Sequence, residues 1–102
     1  IGFAIAKGLA AAGADVVVNG RTQAKVEGAA AAIAKALPSG KIQGIAADVS
    51  TAAGCEALVR ARPTIDILIN NAGIFEPKDF FKTPDDDWMR FLEVNVMSGV
   101  RL

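Results

Sequence analysis

Arg21, Asp48, the run Asn70-Asn71-Ala72-Gly73 and Asn95 are the residues of this 102-residue chain whose types suit recognition or catalysis. A guanidinium offers a planar, charge-assisted fork that matches a phosphate. Asn70 and Asn71 follow an apolar run, and Asn95 lies among Leu92, Val94, Val96 and Met97. Amides in such surroundings are costly unless each finds a hydrogen-bond partner. Cys55 is the single cysteine and reads as a small packing residue, because nothing marks it as a nucleophile. The chain has no His and no Tyr. The missing His removes the commonest metal ligand and general base, and no metal site is expected.

These residues have to be positioned by elements that the apolar patterning outlines. Residues 1–12 predict a helix with Ile1, Ile5, Leu9 and Ala12 near one face, and Gly13 ends it as the residue after the cap. Residues 15–19 hold Val16, Val17 and Val18, a β-branched run typical of a buried parallel strand. Thr22 is expected to cap an Ala-rich helix to about Leu37, closed by Pro38-Ser39-Gly40. Residues 41–47 predict a second strand. Ser50 is expected to cap a helix over 51–62, which Pro63 stops. Residues 65–70 form the most apolar strand and are expected at the centre of the sheet. Thr83, Pro84 and three Asp residues then make a helix start: cap, first-position proline, and negative charge at the positive dipole end. Strands alternating with helices predict right-handed crossovers and an α/β, doubly wound, Rossmann-like three-layer fold with a parallel sheet. No linker or repeat interrupts it, so one domain over 1–102 is expected.

The candidate residues fall at the strand ends of this scheme. Ile1-Gly2 opens the first helix, Asn19-Gly20-Arg21 follows the first strand and Asp48-Val49 the second. Asn70-Asn71-Ala72-Gly73 follows the third, and Asn95-Val96 lies in the last helix. In this order and spacing the chain resembles the classical short-chain dehydrogenase/reductase family, over its whole length. The resemblance implies a partial NAD(P)-binding domain. Family members open with a strand and a glycine-rich turn, of which Ile1-Gly2 matches only the end. The first strand and the C-terminal half are therefore expected to be missing. Glycine at such a turn lets backbone approach the cofactor pyrophosphate. Where NAD-binding folds carry an acid on the adenosine ribose, this chain has Gly20, followed by Arg21. That places NADP ahead of NAD. The resemblance further implies that Asp48 and the Val49 backbone read the adenine edge, and that Asn71, Ala72 and Gly73 lie against a cofactor ribose. Asn70 is expected to tie strands together. Asn95 corresponds to the Asn of a Ser-Tyr-Lys-Asn set, where it helps hold a water in the proton relay. A simpler role as a helix-interface amide stands beside that one, and Asp48 can also serve its own helix start. Phe75, Phe80 and Phe81 border the expected substrate cleft, with packing as their default role.

The family's Ser, Tyr and Lys have no counterpart in 1–102, so the chain alone is expected to be inactive. Without the first strand, which belongs between the first and third strands here, unpaired edges and an apolar slot remain, so the chain is not expected to fold stably as a lone monomer. The implied parent enzyme moves a hydride between NADP(H) and a carbonyl or alcohol substrate. A non-catalytic dinucleotide sensor or scaffold on the same fold is the alternative, because fold does not fix function. A methyltransferase-like binding module has no reason for Asn-Asn-Ala-Gly at a strand end. Lys plus Arg and Asp plus Glu are 11 each, which leaves no basic stripe for nucleic acid. No apolar run approaches a membrane span of about 20 residues. One cysteine suits a reducing compartment, and the cytoplasm is expected. The last helix resembles the one that pairs subunits in the family, which implies a homodimer or homotetramer.

Overall fold

The computed structural model describes residues 1–102, which divide into two compact units, Ile1–Ala47 and Asp48–Leu102. In the first unit, helix α1 (Gly2–Ala11) leads to strand β1 (Val16–Gly20), helix α2 (Gln23–Ala36) and strand β2 (Ile42–Ala46). β1 and β2 pair in parallel, with Val16 opposite Ile42 and Gly20 opposite Ala46. This is the β-α-β crossover that the alternating pattern predicts. α1 ends where expected: Gly13 takes φ 94°, a left-handed conformation that glycine adopts without a Cβ penalty. Thr22 occupies the N-cap of α2, but its side chain makes no capping bond, contrary to the expectation.

The core of this unit is built from three elements. Ala10 of α1, Val16 of β1 and Ile33 of α2 are buried together, flanked by Leu9, Val18 and Leu37. Val16 and Val18 share a face because side chains alternate along a strand. Ile33 is wholly excluded from solvent and Val26 nearly so.

The second unit holds α3 (Ala52–Ala61), a 3₁₀ turn (Phe80–Lys82), α4 (Asp85–Leu92), a π-helical stretch (Glu93–Met97) and α5 (Ser98–Arg101). α3 is capped by Thr51, whose hydroxyl oxygen accepts the Gly54 N–H at 3.0 Å. The expected cap, Ser50, instead turns its N–H and hydroxyl to Asp48. α4 begins as anticipated, with Asp85, Asp86 and Asp87 in its first turn, but Pro84 is its N-cap residue. Thr83 donates its hydroxyl to the Asp79 carbonyl at 2.8 Å and helps close the 3₁₀ turn.

The largest departure is at residues 65–70, which form no strand. Ile65, Ile67, Leu68 and Ile69 are all exposed, Ile67 at 65%. A strand exists through its ladder of inter-strand hydrogen bonds. No strand of this chain supplies that ladder, because the one sheet contains β1 and β2 alone. The segment is apolar, but a central position needs neighbouring strands, which this sheet does not supply.

Candidate functional site

In the first unit, Ile1 and Gly2 stand at the start of α1, with Ile1 95% exposed and its carbonyl accepting the Ala4 and Ile5 N–H groups. Arg21 follows β1 directly and is exposed, with no acidic partner. The strand end that carries it is stapled. Asn19 Nδ2 donates to the carbonyls of Ile45 at 3.0 Å and Ala47 at 3.1 Å, and the Gly20 carbonyl accepts the Ala47 N–H at 3.0 Å. Asn19 was not singled out from sequence. An amide at a strand end gives no signal until its partner strand is known.

In the second unit, Asp48 is half-buried and organises the turn into α3. Its Oδ1 accepts the Ser50 N–H at 3.1 Å and the Ser50 hydroxyl at 2.7 Å, while its carbonyl accepts the Thr51 N–H and hydroxyl. Serving its own helix start is therefore a role that Asp48 fills here. Val49 is buried, and its carbonyl accepts the Cys55 thiol at 3.2 Å. Cys55 is 2% exposed, which agrees with its reading as a packing residue.

Asn71, Ala72 and Gly73 are exposed in an extended segment. The helix that begins at α4 fixes both ends of this run. Asn95, in the π-helical stretch, accepts the Ile74 N–H on Oδ1 at 2.8 Å and donates from Nδ2 to the Ile74 carbonyl at 3.1 Å. One amide side chain thus takes the place of a neighbouring strand. The approach is close: a Cβ on Gly73 would lie 3.2 Å from Asn95 Oδ1. At the other end, the Asn70 side chain rests against Gly99 of α5, where a Cβ would meet Nδ2 at 3.3 Å. Asn70 was expected to tie strands together, and it packs on a helix instead. A π-helical stretch is rare and recurs at functional sites. Nothing in the amino-acid pattern of Glu93–Met97 announces it.

The loop after Ile74 is tied to α4 by charge. Arg90 donates to Glu76 from Nη1 at 2.9 Å and Nη2 at 2.6 Å, the bidentate fork geometry. Lys78 pairs with Asp87 and stands 3.7 Å from Glu76. The hydrogen bond from Arg90 holds the Glu76 carboxyl below the ordinary carboxylate range, and that from Lys78 does the same for Asp87. The Arg90 guanidinium is pushed up in turn by Glu76. Phe75, Phe80 and Phe81 sit on this loop at 88%, 69% and 95% exposure, so the packing role expected of them is not what the structure shows. Phe80 alone makes aromatic contacts on both sides, with Phe81 and Trp88.

A concavity of about 460 Å³ opens beside α3, lined by Ala52, Cys55, Glu56, Val59, Arg60 and Arg101. It contains none of the residues that the sequence marks for binding. No group of His, Cys, Asp and Glu is placed to hold a metal ion, and no helix is long and apolar enough to cross a membrane.

A profile of the short chain dehydrogenase family matches residues 1–102. An uncharacterized oxidoreductase of Bacillus subtilis, YvaG, is 48% identical over all of this chain and 39% of its own length. L-sorbose reductase from Gluconobacter frateurii, solved with NADPH and L-sorbose, superposes with a TM-score of 0.90 at 33% identity, covering 99% of this chain and 40% of that one. A metagenomic short-chain oxidoreductase solved with NADP superposes with a TM-score of 0.82 at 28% identity, covering 99% of this chain and 47% of the other. The chain thus spans less than half the length of these relatives and shares their Rossmann-like α/β fold. The order of its motifs, the fold of its β-α-β unit and the match along its full length agree: the chain belongs to the short-chain dehydrogenase/reductase family of oxidoreductases.

Proposed function

We propose that the protein containing this chain transfers a hydride between NADP(H) and a small carbonyl or alcohol, and that residues 1–102 serve as part of its cofactor-binding domain. The observation that carries the proposal is the end of β1: Gly20 without a carboxylate, then Arg21 exposed and free of any acidic partner. An acid at position 20 would repel a ribose phosphate, whereas an unpaired guanidinium attracts one. The L-sorbose reductase and metagenomic relatives, solved with NADPH and NADP, support the choice of the phosphorylated cofactor over NAD.

The family resemblance assigns roles to the other candidates. Ile1 and Gly2 open a helix whose N-terminal amides favour a pyrophosphate. Asp48 and the Val49 backbone face adenine. Asn71, Ala72 and Gly73 lie along a ribose, held in place by the Asn95–Ile74 contact. The nicotinamide supplies the hydride chemistry when bound. Asn95 positions the segment through Ile74, and Oδ1 has a second lone pair that can hold a relay water. Residues 1–102 contain no Tyr to serve as the relay acid, so this stretch by itself should not turn over substrate. Exposed Met89, Leu92 and Val96 on the last helical segment support pairing of subunits into a homodimer or homotetramer. The reduced, buried Cys55 fits the cytoplasm.

Titration of the full-length protein with NADPH and NADH, followed by nicotinamide fluorescence, tests this reading. NADPH should bind more tightly than NADH. Arg21→Ala should weaken NADPH about tenfold, the worth of one charge-assisted hydrogen bond, and leave NADH nearly unchanged. Equal affinities in the unaltered protein, or equal losses for both cofactors, would overturn the NADP assignment.

A further inference from the structure

Val26 sits over two glycines. It is 2% exposed and belongs to the second turn of α2. A Cβ on Gly44 of β2 would lie 2.8 Å from the carbonyl carbon and oxygen of Val26, so the helix backbone rests directly on the strand there. A Cβ on Gly20 of β1 would lie 3.0 Å from Val26 Cγ1, closer than packed carbons ordinarily come. A side chain at position 20 would require the strand or Val26 to give by a few tenths of an ångström, and both are held. The Gly20 carbonyl is held by the Ala47 N–H, and its neighbour Asn19 is bonded twice to β2. Valine in a helix has essentially one side-chain rotamer, and close-packed interiors resist added volume.

Position 20 is where NAD-binding folds of this kind place the acid that takes the ribose hydroxyls. We propose that Val26 is a specificity-determining residue: by filling the space above Gly20 it bars a side chain at position 20, and so keeps that acid out of the site. The inference rests on the NADP reading above and deepens it. Arg21 attracts the phosphate, while Val26, which needs no contact with the cofactor, blocks the alternative. Preference for NADP is then held by core packing as well as by charge, and changing position 20 alone should not reverse it.

Full-length protein with Gly20→Asp, Gly20→Ala, Val26→Ala and the double changes Gly20→Asp/Val26→Ala and Gly20→Ala/Val26→Ala provides the test. Thermal melts without cofactor report packing, and Kd values for NADH and NADPH report specificity. Gly20→Asp and Gly20→Ala should each lower Tm by a few degrees, and Gly20→Asp should improve NADH binding little. The double variants should melt higher than the sum of the single shifts predicts, because the two sites are in contact. Gly20→Asp/Val26→Ala should bind NADH about tenfold more tightly than Gly20→Asp, the worth of one hydrogen bond to a charged group. Additive melting shifts, or Gly20→Asp alone binding NADH as well as the double variant, would overturn the role of Val26. If Gly20→Asp does not fold, the Gly20→Ala pair decides by its melts: no destabilisation by Gly20→Ala refutes the packing block. Failure of the NADP reading looks different, because the unaltered protein would then bind NADH as tightly as NADPH while the Gly20–Val26 coupling persisted.

Discussion

Two apolar stretches of this chain have similar composition and opposite fates. Val16, Val17 and Val18 lie in β1, paired to β2, and Val16 and Val18 pack with Ile33. Ile65, Ile67, Leu68 and Ile69, in the second unit, are exposed and unpaired. Hydropathy is alike in the two; what differs is the company. β1 has a strand to bond with and two helices whose small residues, Ala6 and Ala10 among them, allow close packing. Residues 65–70 have no strand partner in this chain. Apolar patterning states what a segment wants buried, and the ladder partner decides whether it becomes a strand.

That contrast is broken most directly by cutting the same group from the core that buries β1 and from residues 65–69. Ile33→Ala removes a fully buried side chain and should cost about 2–5 kcal/mol. Ile67→Ala, at an exposed position, should change stability by no more than about 0.5 kcal/mol in the same chain. Urea unfolding of residues 1–102 measures both, and a cooperative transition of the lone monomer would itself overturn the expectation that the chain does not fold stably alone. An Ile67→Ala loss as large as that of Ile33→Ala would mean that a second copy covers residues 65–69 in solution, and the two stretches would no longer differ.

Much of the first unit was legible from sequence because its determinants are local. The positive φ of Gly13, the β-branched run at 16–18 and the Pro38-Gly40 stop each act within a few residues. The end of β1 was legible to within one residue, at Gly20 where 19 was expected. The second unit depends on contacts distant along the chain. Asn95 reaches Ile74, Asn70 meets Gly99, and Glu76 pairs with Arg90. No spacing rule links such positions. Asn95 stood out because an amide among apolar residues demands a partner and because the family resemblance points to it; which backbone group would answer was not readable. The shift of the α3 cap from Ser50 to Thr51 is a smaller error of the same kind, because Asp48 competes for the Ser50 hydroxyl.

The Asn95–Ile74 contact is the nearest thing to a strand ladder that residues 65–74 possess. Removing it should therefore sharpen the comparison between the units. Asn95→Ala breaks two hydrogen bonds and should cost about 1–2 kcal/mol, with the loss confined to the second unit. Amide exchange at Ile74 should accelerate, while exchange along Val16–Gly20 stays unchanged. Asn95→Asp separates the two bonds. It keeps an acceptor for the Ile74 N–H and sets a negative charge against the Ile74 carbonyl, so it should be at least as damaging as alanine. Equal acceleration of β1 amides would show that the units unfold together and that the contrast between them is superficial.

The smallest expected effect concerns the charged clamp, which has no counterpart in the first unit, where the one ion pair, Asp15 with Lys41, is wide and solvent-facing at 3.5 Å. Glu76 and Asp87 have carboxyls held below their ordinary range by Arg90 and Lys78. For a depressed carboxylate the folded state binds its proton less readily than the unfolded one. Its contribution to stability is complete above the unfolded value, and it fades as pH falls through the depressed folded value. Arg90, raised by the same pairing, contributes fully below its unfolded value and fades only in strong alkali, so it adds no slope near neutrality. The clamp should thus be insensitive to pH around neutrality and open in acid alone. Trp88, the single tryptophan, touches Phe80 on the clamped loop and reports the opening by fluorescence. Its emission should shift only as pH falls below the ordinary carboxylate range. Salt near 1 M, where screening acts over about 3 Å, should mimic part of the shift because these groups are solvent-accessible. Arg90→Lys should retain the charge and lose the bidentate geometry, leaving the loop partly open at neutral pH. A Trp88 signal that titrates near neutrality would place its control outside this clamp, for the carboxylates named here are driven in the opposite direction.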